Sequence, residues 1–293
     1  MCNYFSIFIV MTANKIALVI EGGGFKSVFS AGVLDAFITN NFKPFDIYIG
    51  VSSGAMALSY YLSAQYKAYF SLSKAVCVNE AFLSYKHSLS EEGYMNLKYL
   101  TNYVIKTNPL DFIQIQKTIK NKQFYVVATN TDNGEAVYLI PTKQNIYKCL
   151  RATSSLPFFT KGVCRINGLN LMDGAWSDPL PAKSAIDFGA NKVIVIRPHP
   201  LGYKFDGLNY LGLLAGYWWQ NQPKISDMFF KEYDNYNKSV DFLVKNKSGI
   251  EISQICPDNI LKSTVLGTSH RDLLEDYHTG LEKGMDFLNN YSS

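Results

Sequence analysis

Metal-ligand spacing is missing from this chain. Its five cysteines, Cys2, Cys77, Cys149, Cys164 and Cys256, are odd in number and widely spread, with no Cys-x-x-Cys pair. Neither a zinc site nor a disulfide framework is expected, and a reducing, cytoplasmic compartment suits such thiols. The four histidines, His87, His199, His270 and His278, fall in no ligand motif. No carboxylate cluster has the spacing of a calcium loop, so neither a metal nor a cofactor is expected. Basic blocks are missing too. The formal net charge is only +4 and no Lys/Arg run is interleaved with aromatics. Nucleic acid is therefore not an expected partner, while weak contact with an anionic membrane surface is allowed. No apolar run approaches the length of a membrane span. Tyr4 to Met11 is apolar but short, with neither a basic leader nor a small-residue cleavage site, so no signal peptide is read there. It fits a tail, an extra strand, or an over-extended start with Met11 as the first residue. Repeats, low-complexity tracts and a dividing linker are also lacking.

What remains is a globular composition. The chain has 293 residues, 47% of them apolar and 18% charged, enough to bury a full core. Strands are expected at Lys15–Ile20, Ile47–Ile49, Phe124–Thr129, Ala136–Ile140, Arg165–Leu171 (a hairpin turning at Asn167-Gly168), Lys192–Arg197 and Glu251–Cys256. Helices are expected at Val28–Ile38, Ala55–Ala64, Leu97–Lys106, Leu110–Ile119, Ala182–Phe188, Phe229–Lys245 and His270–Tyr291. Ala64 to Lys122 reads as an insertion or cap beside the sheet. Leu208 to Trp219 is strongly apolar and fits either a packed helix or a lipid-facing one. Strands alternating with helices point to an α/β fold with a mainly parallel sheet. The organisation expected is an N-terminal extension over 1–14, a catalytic core over 15–200, and a C-terminal α-rich part of the same domain over 201–293.

The chain is organised around Gly50-Val51-Ser52-Ser53-Gly54. An apolar strand runs into this Gly-x-Ser-x-Gly pattern and a helix leaves it, which is the context of a nucleophile elbow. Gly50 and Gly54 give clearance, and the helix N-terminus favours negative charge at Ser52. A plain Gly/Ser turn is the alternative.

Two further stretches add chemistry. Glu21-Gly22-Gly23-Gly24-Phe25-Lys26-Ser27 links the first strand to the first helix. Its glycines can aim backbone N–H groups at a phosphate or at an acyl oxyanion. The third glycine of a dinucleotide fingerprint would fall on Ser27, and no Walker lysine follows, so the oxyanion hole fits better. Met172-Asp173-Gly174-Ala175 ends a strand and leaves Asp173 unshielded, able to face Ser52. Asp178, before Pro179, ranks lower. The residues alone leave open a histidine-completed triad through His199, His270 or His278, and a non-catalytic phosphate- or nucleotide-binding protein using Gly22 to Gly24.

Four blocks occur in order: Glu21 to Lys26, Gly50 to Gly54, Ala152-Thr153-Ser154-Ser155-Leu156-Pro157-Phe158-Phe159, and Asp173 to Ala175. Together they resemble the patatin-like phospholipase family, most closely its bacterial members with Glu-Gly-Gly-Gly and a later Ala-Gly-Val-Leu-Asp, here Ala31 to Asp35. The resemblance implies a three-layer α/β/α sandwich and a serine-dependent lipid acyl hydrolase that cleaves carboxylic esters of phospholipids or related lipids. It implies a dyad, with Ser52 as nucleophile and Asp173 as general base. Gly22, Gly23 and Gly24 would hold the oxyanion, and Lys26 fills the basic position of that loop. Ser27 departs from the family, which usually has glycine there.

Overall fold

The computed structural model describes residues 14–87, 93–160, 163–207, 210–245 and 249–291. The expected N-terminal extension, with its apolar run Tyr4 to Met11, lies outside the described residues apart from Asn14.

Among the described residues the sheet has eight strands: β1 (Ile16–Ile20), β2 (Ile47–Val51), β3 (Gln123–Asn130), β4 (Ala136–Leu139), β5 (Cys164–Ile166), β6 (Leu169–Asp173), β7 (Lys192–Ile196) and β8 (Glu251–Ile255). Their order is β5-β6-β3-β2-β1-β7-β8, with β4 also paired to β3. The five strands β3-β2-β1-β7-β8 run parallel, and β4, β5 and β6 are antiparallel additions. The central strands are buried on both faces, which is why they read as continuous apolar runs rather than alternating ones.

Two helical layers cover the sheet. Leu18, Ile20, Tyr48, Val126 and Ile194 face α1 (Ser27–Thr39), α2 (Ser52–Leu62) and the long C-terminal helix, α11 (His270–Tyr291). Ala17, Val19, Ile49, Val193 and Val195 face α7 (Ala182–Asp187) and α10 (Glu232–Lys245). The result is the expected three-layer α/β/α sandwich.

The cap region holds three helices, α3 (Ala68–Val76), α4 (Leu97–Thr107) and α5 (Phe112–Thr118). Sequence periodicity did not mark α3, because its cap is tertiary. Lys67, left-handed with φ of 60°, donates its N–H to the Asp35 carboxylate, 32 residues earlier. The short α6 (Ile146–Thr153) was also missed.

The single helix expected over Phe229–Lys245 is a correction. Pro223 opens α9 (Pro223–Phe230) at its first turn, and the chain breaks at Lys231 before α10 begins. Between 201 and 222 lies α8 (Tyr210–Trp218), inside the apolar stretch expected to be helical.

One detail of register positions the site. β2 pairs with β3 as far as Val51 opposite Val127, and β6 pairs with Asp173 opposite Ala128. Since β4 occupies the other edge of β3 at the same residues, β2 and β6 share one edge. Their C-terminal ends therefore meet end to end along β3.

Candidate active site

Val51 is the last residue of β2, so the meeting of β2 with β6 brings Ser52 onto Asp173. Ser52 Oγ donates to Asp173 Oδ2 at 2.6 Å. Ser52 has φ of 50°, the left-handed region that a non-glycine residue occupies at a cost of about 1–3 kcal/mol. Its surroundings enforce that strain. The Ser52 N–H donates to Thr153 Oγ1 at 2.7 Å, and Thr153 in turn donates to the Val127 carbonyl. The two motif glycines are spaces rather than hinges: a Cβ on Gly50 would lie 2.5 Å from Ala55 Cα, and one on Gly54 would lie 2.4 Å from the Glu21 carbonyl.

Asp173 is 1% exposed and tied on every side. Oδ1 accepts from the Ala175 N–H at 2.9 Å. Its own N–H donates to the Ser155 carbonyl, and its carbonyl accepts from Thr129 Oγ1 at 2.7 Å. Gly174 follows because a Cβ there would be 2.3 Å from the Val127 carbonyl. Burial pushes the Asp173 carboxyl up to about 7, with the Ser52 and Ala175 hydrogen bonds pulling it back. A buried carboxylate near 7 is a far better proton acceptor for an alcohol than one at 3.8.

The glycine loop lies beside Ser52, because β1 neighbours β2 in the sheet. Gly23 donates its N–H to Ser53 Oγ at 3.1 Å, and Ser53 Oγ shares a 2.7 Å hydrogen bond with Ser27 Oγ. Ser27 is fully buried with φ of −65°, so the position does not demand glycine for its backbone. Ser27 instead adds a hydroxyl behind the loop. Lys26 Nζ lies 3.0 Å from His199 Nε2. Ser52, Ser53, Asp173, Gly22 to Gly24, Lys26 and His199 open onto one cavity of about 260 Å³, behind which Ser27 is buried. Its other walls are apolar, among them Leu72 and Val76 of α3 and Leu97 and Leu100 of α4.

Other sequence candidates lie elsewhere. Asp178 accepts from Tyr138 Oη at 2.5 Å and from Ser184 Oγ at 2.8 Å, a structural pairing away from Ser52. His270 reaches the Lys74 carbonyl. His199 lies at the cavity, bonded to Glu21 and Lys26 rather than to Ser52. Thr153, Ser53 and Glu21 were not expected to have the contacts they make, since those contacts depend on strand neighbours distant in sequence. Among the described residues no group of His, Cys, Asp or Glu is arranged to hold a metal ion.

Comparison with known proteins decides the lineage. The family described as Patatin-like phospholipase matches residues 18–186. The chain belongs to the patatin-like phospholipase family. A second family, a domain of unknown function named DUF6363, matches residues 222–293. The chain is 30% identical over 276 residues to the uncharacterized protein YjjU of Escherichia coli, covering 94% of this chain and 77% of that one. It is 26% identical over 211 residues to mouse patatin-like phospholipase domain-containing protein 7, covering 71% of this chain but only 15% of the mouse protein. The fold is shared with VipD from Legionella pneumophila, with a TM-score of 0.51 at 13% identity, over 94% of this chain and 67% of VipD.

Proposed function

We propose that this protein is a lipid acyl hydrolase that works through a Ser52–Asp173 dyad. The observation that carries the reading is the 2.6 Å hydrogen bond between Ser52 Oγ and a buried Asp173, at the floor of a cavity with apolar walls. Family membership supports lipid ester chemistry in general.

In this reading Asp173 takes the Ser52 proton as Oγ attacks the ester carbonyl carbon. The carbonyl oxygen becomes an oxyanion and is held by the N–H groups of Gly22 and Gly24, since Gly23 gives its N–H to Ser53 Oγ. The C–O bond to the leaving alcohol then breaks, the alcohol takes the proton from Asp173, and the acyl group stays on Ser52. Water repeats the sequence, with Asp173 again as base, and releases the fatty acid. The acyl chain occupies the apolar side of the cavity, against α3 and α4.

Peripheral membrane contact belongs to the same proposal. Tyr210, Leu214, Tyr217 and Trp218 recur at helical spacing on α8, yet they face solvent, with Tyr210 75% and Trp218 72% exposed. Aromatic residues of this kind favour the boundary between lipid and water. The stripe adjoins the site: the Phe158 ring packs on Trp218 and Trp219, two residues beyond Leu156 of the cavity wall. Among the described residues no helix is long and apolar enough to cross a membrane.

The test pairs a fluorophosphonate probe with fatty-acid release from phospholipid vesicles and from a short-chain aryl ester. Ser52 should carry the label, and Ser52→Ala should lose both label and turnover. Undiminished hydrolysis by Ser52→Ala overturns the reading.

A further inference from the structure

Beside the oxyanion loop lies a buried polar cluster that the acyl-transfer scheme does not use. Glu21, Arg197, His199 and Tyr236 are each 7% exposed or less. Glu21 Oε2 accepts from Arg197 Nε at 3.2 Å, and Glu21 Oε1 accepts from Tyr236 Oη at 2.8 Å. Arg197 also donates to Tyr236 Oη and to Gln254 Oε1. Burial pushes the Glu21 carboxyl up, but His199, Arg197 and Tyr236 outweigh it and hold Glu21 below the usual carboxylate range. Burying this many polar groups together is costly unless each is paired, and here each is.

The protons on His199 follow from its neighbours. Burial lowers the Lys26 amine from its usual range while the Glu21 charge pulls it back up; as an ammonium it has donors only, so His199 Nε2, 3.0 Å away, accepts from it. Nδ1 then carries the ring proton and donates to Glu21 Oε1 at 2.9 Å. The Tyr203 ring stacks on the imidazole at 4.8 Å and 10°, which fixes its plane. Pro198, the preceding residue, packs against Gly23, so the same segment braces the loop backbone. Glu21, His199 and Lys26 thus close a ring around the glycine loop, with Glu21 directly before it and Lys26 at its end.

We infer that His199 is a positioning residue, which aims the Lys26 ammonium across the oxyanion loop into the cavity. The bond from Lys26 goes to a neutral ring nitrogen, so that contact orients the charge without cancelling it. The cation then faces the cavity that Ser52 also lines, in which the ester oxygen becomes negative and a fixed charge counts most. This inference rests on the acyl-transfer reading of Ser52.

The two ring nitrogens can be tested separately. Asn at 199 can replace the Nδ1 donor to Glu21 but not the Nε2 acceptor. Gln can place its amide oxygen where Nε2 stands and accept from Lys26. On a soluble aryl ester, His199→Asn should lower kcat by about 10–100-fold with KM moved less than about threefold, a loss of the size expected for one misplaced oxyanion partner. His199→Gln should recover at least about tenfold of a hundredfold loss. In a Lys26→Met background the two variants should differ by less than about twofold, because the partner they compete to hold is gone. Equal kcat for the Asn and Gln variants in the Lys26 protein overturns the inference, as does a difference between them that persists in full without Lys26. If either His199 variant fails to fold by its thermal transition, Lys26→Met and Lys26→Arg are compared with His199 intact. Lys26→Met should lose kcat while remaining folded and Lys26→Arg should restore part of it, and a Met variant with wild-type kcat overturns the inference. Failure of the underlying reading looks different: the wild-type protein would neither take the fluorophosphonate label at Ser52 nor hydrolyse any ester.

Discussion

The N–H of Ser52 donates to the hydroxyl of Thr153 at 2.7 Å, and that hydroxyl donates its own hydrogen bond to the Val127 carbonyl. One fully buried hydroxyl thereby ties the elbow to β3 at the point where β2 stops pairing. Thr153→Val keeps the shape and removes both bonds. It should destabilise the protein by about 1–3 kcal/mol, the cost of leaving buried backbone groups unpaired, and should lower kcat. Thr153→Ser should keep most of both. Denaturant midpoints and aryl-ester turnover of the two variants check this.

Asp173 gives opposite signs for activity and stability. As the proposed base it works only when ionised, so kcat/KM on a soluble ester should rise with pH and level off above about 7. Stability runs the other way. The folded carboxyl, raised from 3.8 to about 7, keeps a proton that the unfolded chain gives up, so this group costs stability as pH rises from about 4 to 7. Asp173→Asn should therefore be inactive yet more stable than wild type at pH 8, by on the order of 2–4 kcal/mol, with the advantage fading toward pH 4. Thermal melts of both proteins across this range test it.

The crossing of α1 and α11 is made by glycines. A Cβ on Gly280 would lie 2.0 Å from the Phe29 carbonyl, and one on Gly32 would lie 2.2 Å from the Tyr277 carbonyl. Gly280→Ala should destabilise by at least about 1–3 kcal/mol, since two backbones must separate to admit one methyl group. None of Phe29, Gly32, Tyr277 and Gly280 lines the cavity, so fluorophosphonate labelling per folded molecule should be unchanged. Urea unfolding with probe titration measures both.

For α8, replacing Tyr217 and Trp218 by serine removes the exposed ring surface without touching the cavity. Release of fatty acid from vesicles of phosphatidylcholine and phosphatidylglycerol should fall about tenfold, equivalent to about 1.4 kcal/mol of binding. Hydrolysis of a soluble ester should stay within about twofold. Equal loss on both substrates would tie the stripe to folding instead of lipid contact.

Local patterns carried the sequence reading furthest. Strand, tight turn and helix occur within one short segment around Ser52, and the hairpins β3–β4 and β5–β6 announce themselves through Asp132-Asn133-Gly134 and Asn167-Gly168. The pairing of Ser52 with Asp173 was anticipated through motif order, but its physical cause, the shared edge of β3, is a matter of register that sequence does not display. The same holds for α3, whose N-terminus is capped by Asp35, and for His199, which looked like a possible catalytic base until strand order set it against Glu21 and Lys26. Pro223 marks the start of α9, six residues before the expected Phe229, whereas the break at Lys231 leaves no mark in the apolar pattern.

The end-to-end meeting of β2 and β6 along β3 has a consequence for assembly. Ser52 and Asp173, the nucleophile and base of the proposed dyad, are 121 residues apart in the chain, and each is brought to its place by pairing with the same third strand. A chain that has formed β1, β2 and their helices holds a complete elbow with no base. In the proposed dyad, reactivity at Ser52 therefore requires β6 to be paired to β3, and a fluorophosphonate probe would report on the closing of that part of the sheet.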